Sequence, residues 1–385
     1  MKRPETHIYL STGCYETAFR QRHADVVYDE LLGYGTFSKL HAVFFRADQH
    51  LGAIPVRSDV TAHDLGWPKK PRWLAEGLFL RWLNALIQRN YPCVVTAYDP
   101  FLSGFNAYLV AMRHRVPFVQ YVGCNFEEWR ARGQRLFRVL PGERSEAWCE
   151  RWVYRHATRV RTWNHYYRDY ALKMGAPPTR TIALPPSPFN DAYYSPEQHS
   201  SGRHFADPRV PLVAAIQRLK ADKLVSKLVP AFVQIRHRLP TARFIIAGDG
   251  PERAVMQRQA EELCVADAIE FVGHLDVGDL LALMLRADVL IGGHAGRTLI
   301  EASLCGLEAV VYDFDWHREC FDLVRAGRAI PLEDASAMAA AALAVLGQNN
   351  AGRHELRERA HTVFGRNAIA QQTRVFYEQL FSESF

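Results

Sequence analysis

Basic, acidic and glycine residues that suit an anionic ligand lie close together in the second half of the sequence. Arg218 and Lys223 follow an apolar run, the segment 292–298 contains three glycines, and Glu301 comes shortly after it. Glycine lets a backbone approach a phosphate closely, and the start of a helix adds partial positive charge. This combination predicts a binding site for a ligand that carries a diphosphate, and a nucleotide is the natural candidate.

The chemistry that Arg218 and Lys223 could support is cleavage of a bond to a diphosphate leaving group. Negative charge develops on the leaving oxygen as such a bond breaks, and positively charged side chains stabilise it there. The alternative is that both side chains lie on a solvated loop. Asp249, in a Gly-Asp-Gly-Pro sequence, is interpreted as a turn residue, because an aspartate before a glycine bonds its own backbone.

Further residues in predicted strand-end loops are assigned to substrate binding. They are Gly13, Asp99, Gly273, Gly293, His294, Ala295, Gly296, Arg297 and Thr298. Gly13 and Asp99 belong to the first half of the chain, where ordinary turn formation is the equally weighted alternative. His294 has two open interpretations, which are contact with a sugar or phosphate and capping of the following helix.

Apolar runs typical of buried strands alternate with helical segments along the chain. The predicted strands include 7–10, 40–45, 93–97, 117–122, 181–184, 210–216, 244–247, 269–272, 289–291 and 308–312. The predicted helices include 102–113, 146–156, 166–174, 224–239, 252–264, 277–287, 298–305, 335–346 and 367–381. Strands joined by helices of this length must pair in parallel, so we predict an α/β fold with doubly wound sheets.

Composition and charge exclude several classes of function. The 385 residues carry a formal net charge of +6 without a long basic block, which argues against a nucleic-acid partner. The cysteines form no Cys-x-x-Cys pair and the histidines have no metal-ligand spacing, so neither a metal nor another cofactor is predicted. No apolar run approaches membrane-spanning length, and no signal segment is recognised. We therefore expect a cytoplasmic protein with reduced thiols.

The second half resembles the donor domain of the GT-B glycosyltransferases, in particular the retaining glycosyltransferase family 4 (glycosyl transferases group 1). The residues that carry the likeness are Arg218, Lys223, Gly248 to Pro251, Phe271 to Gly273, and Glu301 to Gly306. The likeness covers roughly residues 93–381 and is strongest after residue 210. It implies a catalytic set of Arg218 and Lys223 on the diphosphate and Glu301 on the ribose hydroxyls.

The resemblance also implies a GT-B architecture of two Rossmann-like domains that face a cleft. We expect an acceptor-binding domain at 1–190, a nucleotide-sugar-binding domain at 191–365, and a terminal helix at 366–385 that crosses back to the first domain. Four positions depart from the family pattern, and at two of them Gln217 and Leu224 stand where the family has glycine. The first of the family's two glutamates would fall at Gly293, and the histidine expected after strand 117–122 is replaced by the segment 123–125.

The implied function is hexosyl transfer from a nucleotide-diphosphate sugar, with UDP or GDP expected, to a saccharide, lipid-linked or small-molecule acceptor. Retention of the anomeric configuration without a metal is expected. One alternative is an inverting GT-B transferase or a sugar-nucleotide epimerase. Another is a non-catalytic nucleotide- or glycan-binding subunit of a transferase complex, suggested by the departure at Gly293.

Residues 67–82 combine tryptophans, cations and leucines at helical intervals. Such a segment could lie on the anionic inner face of a membrane, with its tryptophans among the headgroups. The alternative is a helix that packs its apolar side into the first domain and exposes its cations to water.

Overall fold

The computed structural model divides the chain into two compact units. Unit 1 contains Met1–Ser187 and Ile369–Phe385, and unit 2 contains Pro188–Ala368. The structure describes residues 3–11, 24–44, 52–65, 72–131, 143–185, 205, 207, 209–348 and 352–384. The divisions after Ser187 and Ala368 lie close to the ones expected after residues 190 and 365.

Unit 1 is built on a sheet that comprises eight strands among the described residues, in the order β3-β4-β2-β1-β5-β6-β7-β8. Their bounds are β1 Thr6–Ser11, β2 Lys39–Phe44, β3 Gly52–Arg57, β4 Val60–Asp64, β5 Cys93–Ala97, β6 Phe118–Val122, β7 Arg159–Thr162 and β8 Thr181–Ala183. All neighbours pair in parallel except β3, which runs antiparallel to β4. The order of strands reverses between β1 and β5.

The helices of unit 1 cover this sheet. They are α1 Ala24–Leu31, α2 Arg72–Arg89, α3 Leu102–His114, α4 Phe126–Ala131, α5 Glu143–His156 and α6 His165–Lys173. The strands β5 and β6 have every side chain buried, as expected for parallel strands covered on both faces. An ion pair also lies inside, where Arg161 is 2.8 Å from Glu30 and its guanidinium stands over the ring of Tyr121.

Unit 2 has a parallel sheet with the strand order β11-β10-β9-β12-β13-β14 among the described residues. Its strands are β9 Leu212–Ile216, β10 Arg243–Ala247, β11 Ile269–Gly273, β12 Val289–Gly292, β13 Ala309–Tyr312 and β14 Arg328–Ile330. The order reverses between β9 and β12. In a doubly wound sheet, a crevice opens at that point beyond the carboxyl ends of the strands, and ligands bind there.

The helices that follow these strands are α7 Leu228–Arg238, α8 Arg253–Glu262, α9 Val277–Arg286, α10 Thr298–Leu304, α11 His317–Val324, α12 Ala335–Leu346 and α13 Arg353–Phe364. The predicted start of α7 at residue 224 is wrong. Leu224 adopts a left-handed conformation with φ 55°, and short 3₁₀ turns at Ala221–Lys223 and Val225–Lys227 precede the helix. This conformation ends the first turn and fixes the loop that carries Lys223.

The last helix, α14 Arg366–Ser384, begins in unit 2 and continues in unit 1. Its residues Phe376, Tyr377 and Leu380 are buried in the core of unit 1. The ring of Tyr377 meets that of Phe37 edge-on at 4.8 Å between centroids. Apolar burial of this kind ties the carboxyl-terminal residues to unit 1.

Candidate functional site

The candidate site lies where β9 and β12 are neighbours, because the loops after these two strands carry most of the predicted residues. The loop after β9 holds Arg218 and Lys223, and the loop after β12 runs from Gly293 to Arg297. A backbone hydrogen bond of 3.1 Å from the His294 N–H to the Lys223 carbonyl joins the two loops. Parallel pairing of β9 with β12 therefore brings together residues that are far apart in the sequence.

Lys223, His294 and Asp315 form a continuous polar chain in this site. The Lys223 ammonium is 3.3 Å from Nδ1 of His294, and Nε2 of His294 is 3.2 Å from Oδ2 of Asp315. A lysine ammonium has donors only, so Nδ1 accepts and the protonated Nε2 donates to the carboxylate. The imidazole is 8% exposed, and Phe314 meets it edge-on at 5.0 Å. These contacts fix the orientation of the ring.

The two cations of the site have different environments. Burial lowers the pKa of the Lys223 ammonium, the charge of Arg218 lowers it further, and the carboxylates of Asp222 and Asp315 oppose these effects. The Arg218 side chain is 61% exposed and lies 3.9 Å from Asp222. Lys223 is thus a sheltered, oriented donor, whereas Arg218 is a solvent-facing guanidinium.

Glu301 lies in the first turn of α10 and is buried, with 8% of its surface exposed. Burial raises the pKa of its carboxyl group to about 7, and the nearby charge of Arg297 acts in the opposite direction. No hydrogen bond to this carboxylate is found in the described part of the chain. A buried carboxylate with unused acceptor capacity is suited to ligand hydroxyl groups.

Gly293 is a position that admits no side chain. A Cβ atom there would lie 2.3 Å from the carbonyl oxygen of Lys223 and 2.5 Å from that of Leu224. The family's first glutamate is therefore excluded sterically, because the loop after β9 occupies the space beside residue 293. This close approach also positions the Lys223 backbone.

The rest of the loop after β12 presents backbone groups to the site. Gly296 has φ +56°, and the N–H groups of Thr298 and Leu299 donate to the carbonyls of Ala295 and Gly296. Among the described residues, no acceptor is found for the backbone N–H groups of Ala295 and Gly296. They remain available to an anion at the start of α10.

The glycines of the predicted Gly-Asp-Gly-Pro turn have a steric role. A Cβ at Gly248 would lie 1.9 Å from the Gln217 carbonyl oxygen, so this loop packs directly on the loop after β9. The Gly248 N–H donates to the carbonyl of Gly273, which ends β11 with φ +72°. Oδ1 of Asp249 accepts a hydrogen bond of 2.8 Å from the N–H of Gly250. The geometry agrees with the interpretation of Asp249 as a turn residue.

The first-half candidates are placed less completely. Gly13 lies outside the described residues. Asp99 follows β5 at the point where the strand order of unit 1 reverses, is 2% exposed, and accepts a hydrogen bond of 3.0 Å from the Phe101 N–H. A Cβ at Gly123 would lie 2.7 Å from the Tyr98 hydroxyl and 2.8 Å from the Trp163 ring. Aromatic side chains therefore fill the space beside the position where the family histidine was expected.

The segment 67–82 is described only in part, since residues 67–71 lie outside the described residues. The remainder belongs to α2, whose residue Trp82 is half-buried and meets the ring of His63 edge-on at 5.1 Å. This contact agrees with the packing alternative for that end of the segment. No helix among the described residues has the length and apolarity needed to span a bilayer.

Asp315 and Asp222 were not predicted from the sequence. Asp315 comes three residues after the end of β13, which neighbours β12. The signal for Asp315 in the sequence was its place just beyond a buried parallel strand, since the carboxyl ends of such strands meet at one edge of the sheet.

A polar cleft lined by Asp288, Glu308 and Arg353 lies at the amino ends of the strands and is a different surface. There Arg353 donates to the carbonyls of Ala287 and Met284.

Two family models match the chain. A model described as glycosyl transferases group 1 matches residues 197–363, which include both site loops. A model described as a glycosyl transferase 4-like domain matches residues 39–187. The phosphatidyl-myo-inositol mannosyltransferase of Mycolicibacterium smegmatis is 32% identical over 129 residues, which cover 32% of this chain and 33% of that protein. The chain spans about a third of the length of the known relatives it matches first.

Solved structures match over nearly the whole chain. Sucrose-phosphate synthase from Thermosynechococcus elongatus has a TM-score of 0.76 at 17% identity, covering 98% of this chain and 100% of that one. Anabaena HepE in complex with UDP-glucose has a TM-score of 0.73 at 15% identity, covering 97% of this chain and 99% of that one. Identities this low establish the fold alone. The two sheets and these structural matches confirm the predicted fold class, an α/β GT-B fold with two Rossmann-like domains.

Proposed function

Because this chain belongs to the glycosyl transferases group 1 family, we propose that it transfers a hexosyl group from a nucleotide-diphosphate sugar to an acceptor. The acceptor is a saccharide, a lipid-linked molecule or a small molecule. The observation that carries the proposal is the contact between Lys223 and His294, 71 residues apart, at the point where the strand order reverses between β9 and β12.

The diphosphate is bound by Arg218, Lys223 and the backbone N–H groups of Ala295 and Gly296, for which the described residues supply no acceptor. Positive charge and N–H donors stabilise the oxygen on which charge develops as the bond to the sugar breaks. Because α10 is short, with 7 residues, the partial positive charge at its start is not sufficient by itself, and the N–H groups bind the diphosphate together with the two cations. Arg218 reaches the diphosphate from the solvent side, whereas Lys223 is held by His294.

His294 acts as a positioning residue in this proposal. Its ring lies between the Lys223 ammonium and Asp315, so both ring nitrogens are occupied by protein groups. The remaining loop residues, Arg297 and Thr298, line the start of α10. Glu301 accepts hydrogen bonds from the ribose hydroxyls, and the backbone near Gly273 contacts the base.

Transfer proceeds with retention and without a metal in this proposal. The bond from the anomeric carbon to the phosphate oxygen breaks with its electron pair on that oxygen. The acceptor oxygen bonds to the same face of the carbon, and its proton passes to the departing phosphate oxygen. Steric exclusion of a side chain at Gly293 is consistent with this route, because no carboxylate nucleophile can stand there.

UDP is the first donor to test, because HepE was solved with UDP-glucose and has the same fold; GDP is the second. Gly13 and Asp99 are proposed to face the acceptor in unit 1. The mannosyltransferase relative is named for a phosphatidylinositol lipid, which favours a lipid-linked acceptor and a peripheral site at the cytoplasmic face of a membrane.

The test begins with thermal unfolding of the purified chain in the presence of UDP, GDP, ADP, TDP and CMP sugars, since a bound ligand raises the melting temperature. Proton NMR of the product then reads its anomeric configuration. Arg218→Ala and Lys223→Ala should abolish transfer and weaken nucleotide binding roughly ten- to hundredfold, the range for hydrogen bonds to charged groups. Lys220→Ala, an exposed cation between them, is the matched control. Unchanged turnover in either variant would remove the proposed role of that residue.

A second candidate is a non-catalytic nucleotide-binding subunit, which the closed position at Gly293 favours. This candidate predicts nucleotide binding without any release or transfer of the sugar by the chain alone. Product formation by the purified chain excludes it. Inversion at the anomeric carbon, or epimerisation without an acceptor, would instead support the related enzyme classes.

A further inference from the structure

An exposed stripe of arginines and tryptophans runs along α5. Arg144, Trp148, Arg151, Trp152 and Arg155 are all exposed, and their spacing places them on one side of the helix. Trp148 is 56% exposed and Trp152 is 38% exposed. The two rings stack with centroids 5.5 Å apart. Two large aromatic side chains are thus held together in water.

The neighbouring helix α3 extends this surface. Leu109 and Met112 are 45% and 39% exposed, and Phe105, one turn before Leu109, meets Trp148 with centroids 6.1 Å apart. At the end of α3, Arg113 and Arg115 are also exposed. We call the exposed residues of α3 and α5 the α3–α5 face. Its apolar residues are contiguous, which distinguishes it from single exposed apolar residues elsewhere.

The charge on the α3–α5 face is uncompensated. In the described part of the chain, no hydrogen bond or ion pair is found for the side chains of Arg144, Arg151 and Arg155. The carboxylates of Glu146 and Glu150 point inward, at 2% and 0% exposure, and Glu150 is 3.0 Å from Arg130. The sequence of α3 contains no acidic residue. Among the side chains that the structure describes on α3 and α5, the face therefore combines exposed indoles with positive charge.

We propose that the α3–α5 face binds the surface of an anionic lipid bilayer. Tryptophan rings are favoured at the level of the headgroups, and basic side chains near the surface are attracted to anionic lipids. The apolar side of α5 packs inside unit 1, where Cys149, Val153 and Tyr154 are buried. The exposed stripe on the other side of this helix, about 21 Å long at 1.5 Å per residue, is the part that lies against the headgroups. Only the role of this binding rests on the proposed function, since it would bring unit 1 to a lipid-linked acceptor.

The α3–α5 face consists of residues other than those of the segment 67–82, which was predicted as a membrane contact from the sequence; α2 borders the face, since Asn106 of α3 donates a hydrogen bond to Glu76. The described residues of that segment belong to α2, where Arg81 is exposed and Trp82 packs on His63. Variants of α2 and α5 therefore distinguish the two surfaces.

The test is co-sedimentation of the full chain with vesicles of phosphatidylcholine, with and without phosphatidylglycerol. Arg151→Gln/Arg155→Gln should lower the partition coefficient on the anionic vesicles roughly thirtyfold, since each basic residue near such a surface contributes about 1 kcal/mol. The matched control is Arg238→Gln/Arg258→Gln, which removes two exposed arginines of unit 2. It should leave the partition coefficient unchanged.

The aromatic part of the face is tested by Trp148→Ser/Trp152→Ser, with Val255→Ser/Leu263→Ser as the control for loss of exposed apolar area in unit 2. The tryptophan variant should lose roughly tenfold or more in partition, because binding scales with the apolar area that enters the interface. Both substitutions are at the surface, so folding should be retained.

Three outcomes would overturn the proposal. One is equal binding of the tryptophan variant and the unmodified chain to anionic vesicles. Another is loss of binding in Arg81→Gln/Arg89→Gln but not in the α5 variants. The third is self-association of the chain without lipid that the tryptophan variant abolishes, which would assign the face to a second copy. The thermal response to nucleotide sugars is measured in the same variants, so failure of lipid binding is distinguished from failure of the donor site.

Discussion

Replacement of Glu301 by glutamine should stabilise the protein at alkaline pH while weakening its binding of nucleotide. The carboxyl group has a pKa of about 7 in the folded protein because it is buried, compared with 4.5 for the ordinary group. The folded state therefore binds this proton more tightly than the unfolded state does. The contribution of this group to the free energy of unfolding is fully present below about pH 4.5 and is lost as the pH rises through about 7.

The size of the effect follows from the difference between the two pKa values. A shift from 4.5 to about 7 corresponds to ~3 kcal/mol lost above pH 7, at about 1.4 kcal/mol per unit. Glutamine stays neutral and has nearly the same shape, so it avoids this loss. Glu301→Gln should be more stable than the unmodified protein by ~3 kcal/mol near ~pH 8 and by less than about 1 kcal/mol near ~pH 5. In a unit of this size, the larger value raises the melting temperature by roughly 6–12 °C.

The assay is thermal unfolding of both proteins across this pH range, with Glu262→Gln as a control that removes an exposed carboxylate from the end of α8. The control should show no pH-dependent gain. Glu301→Gln should also weaken UDP-sugar binding roughly ten- to hundredfold, because the charged acceptor for ribose hydroxyls is lost. A Glu301→Gln protein that gains no stability near ~pH 8, or gains as much near ~pH 5, would refute the reasoning.

Three further predictions concern the two loops and the core of unit 1. Gly293→Ala should destabilise unit 2 by ~1–3 kcal/mol and abolish the thermal response to nucleotide sugars, because its Cβ displaces the Lys223 carbonyl, and Gly293→Glu should restore no activity. His294→Leu should lower kcat/KM far more than His294→Gln, whose amide can still accept from Lys223; equal losses would show that the ring does not orient the ammonium. Glu30→Ala should cost ~3–5 kcal/mol in urea unfolding, because it leaves Arg161 buried without its partner, and a cost under about 1 kcal/mol would contradict this.

Much of the architecture could be predicted from local patterns in the sequence. Apolar runs, their alternation with helical segments and the glycines that end them depend on residues adjacent in the chain, and they located the strands of unit 2 from β9 to β13. The antiparallel strand β3 was missed, because its short run is interrupted by Pro55 and its burial is partial. The polar helix α13 was missed too, since few of its residues are buried. The start of α7 was misplaced because Leu224 is left-handed in a position where glycine is usual.

The sequence by itself determined the fold class and the two loops that carry Arg218, Lys223 and the glycines of the β12 loop. The tertiary structure alone decided that His294 lies between Lys223 and Asp315, which are 71 and 21 residues away from it. It also decided that Gly293 has no room for a side chain and that Glu301 is buried enough to raise its pKa. The physical reason is that strand order and packing set these distances and this burial, and neither leaves a signal in neighbouring residues.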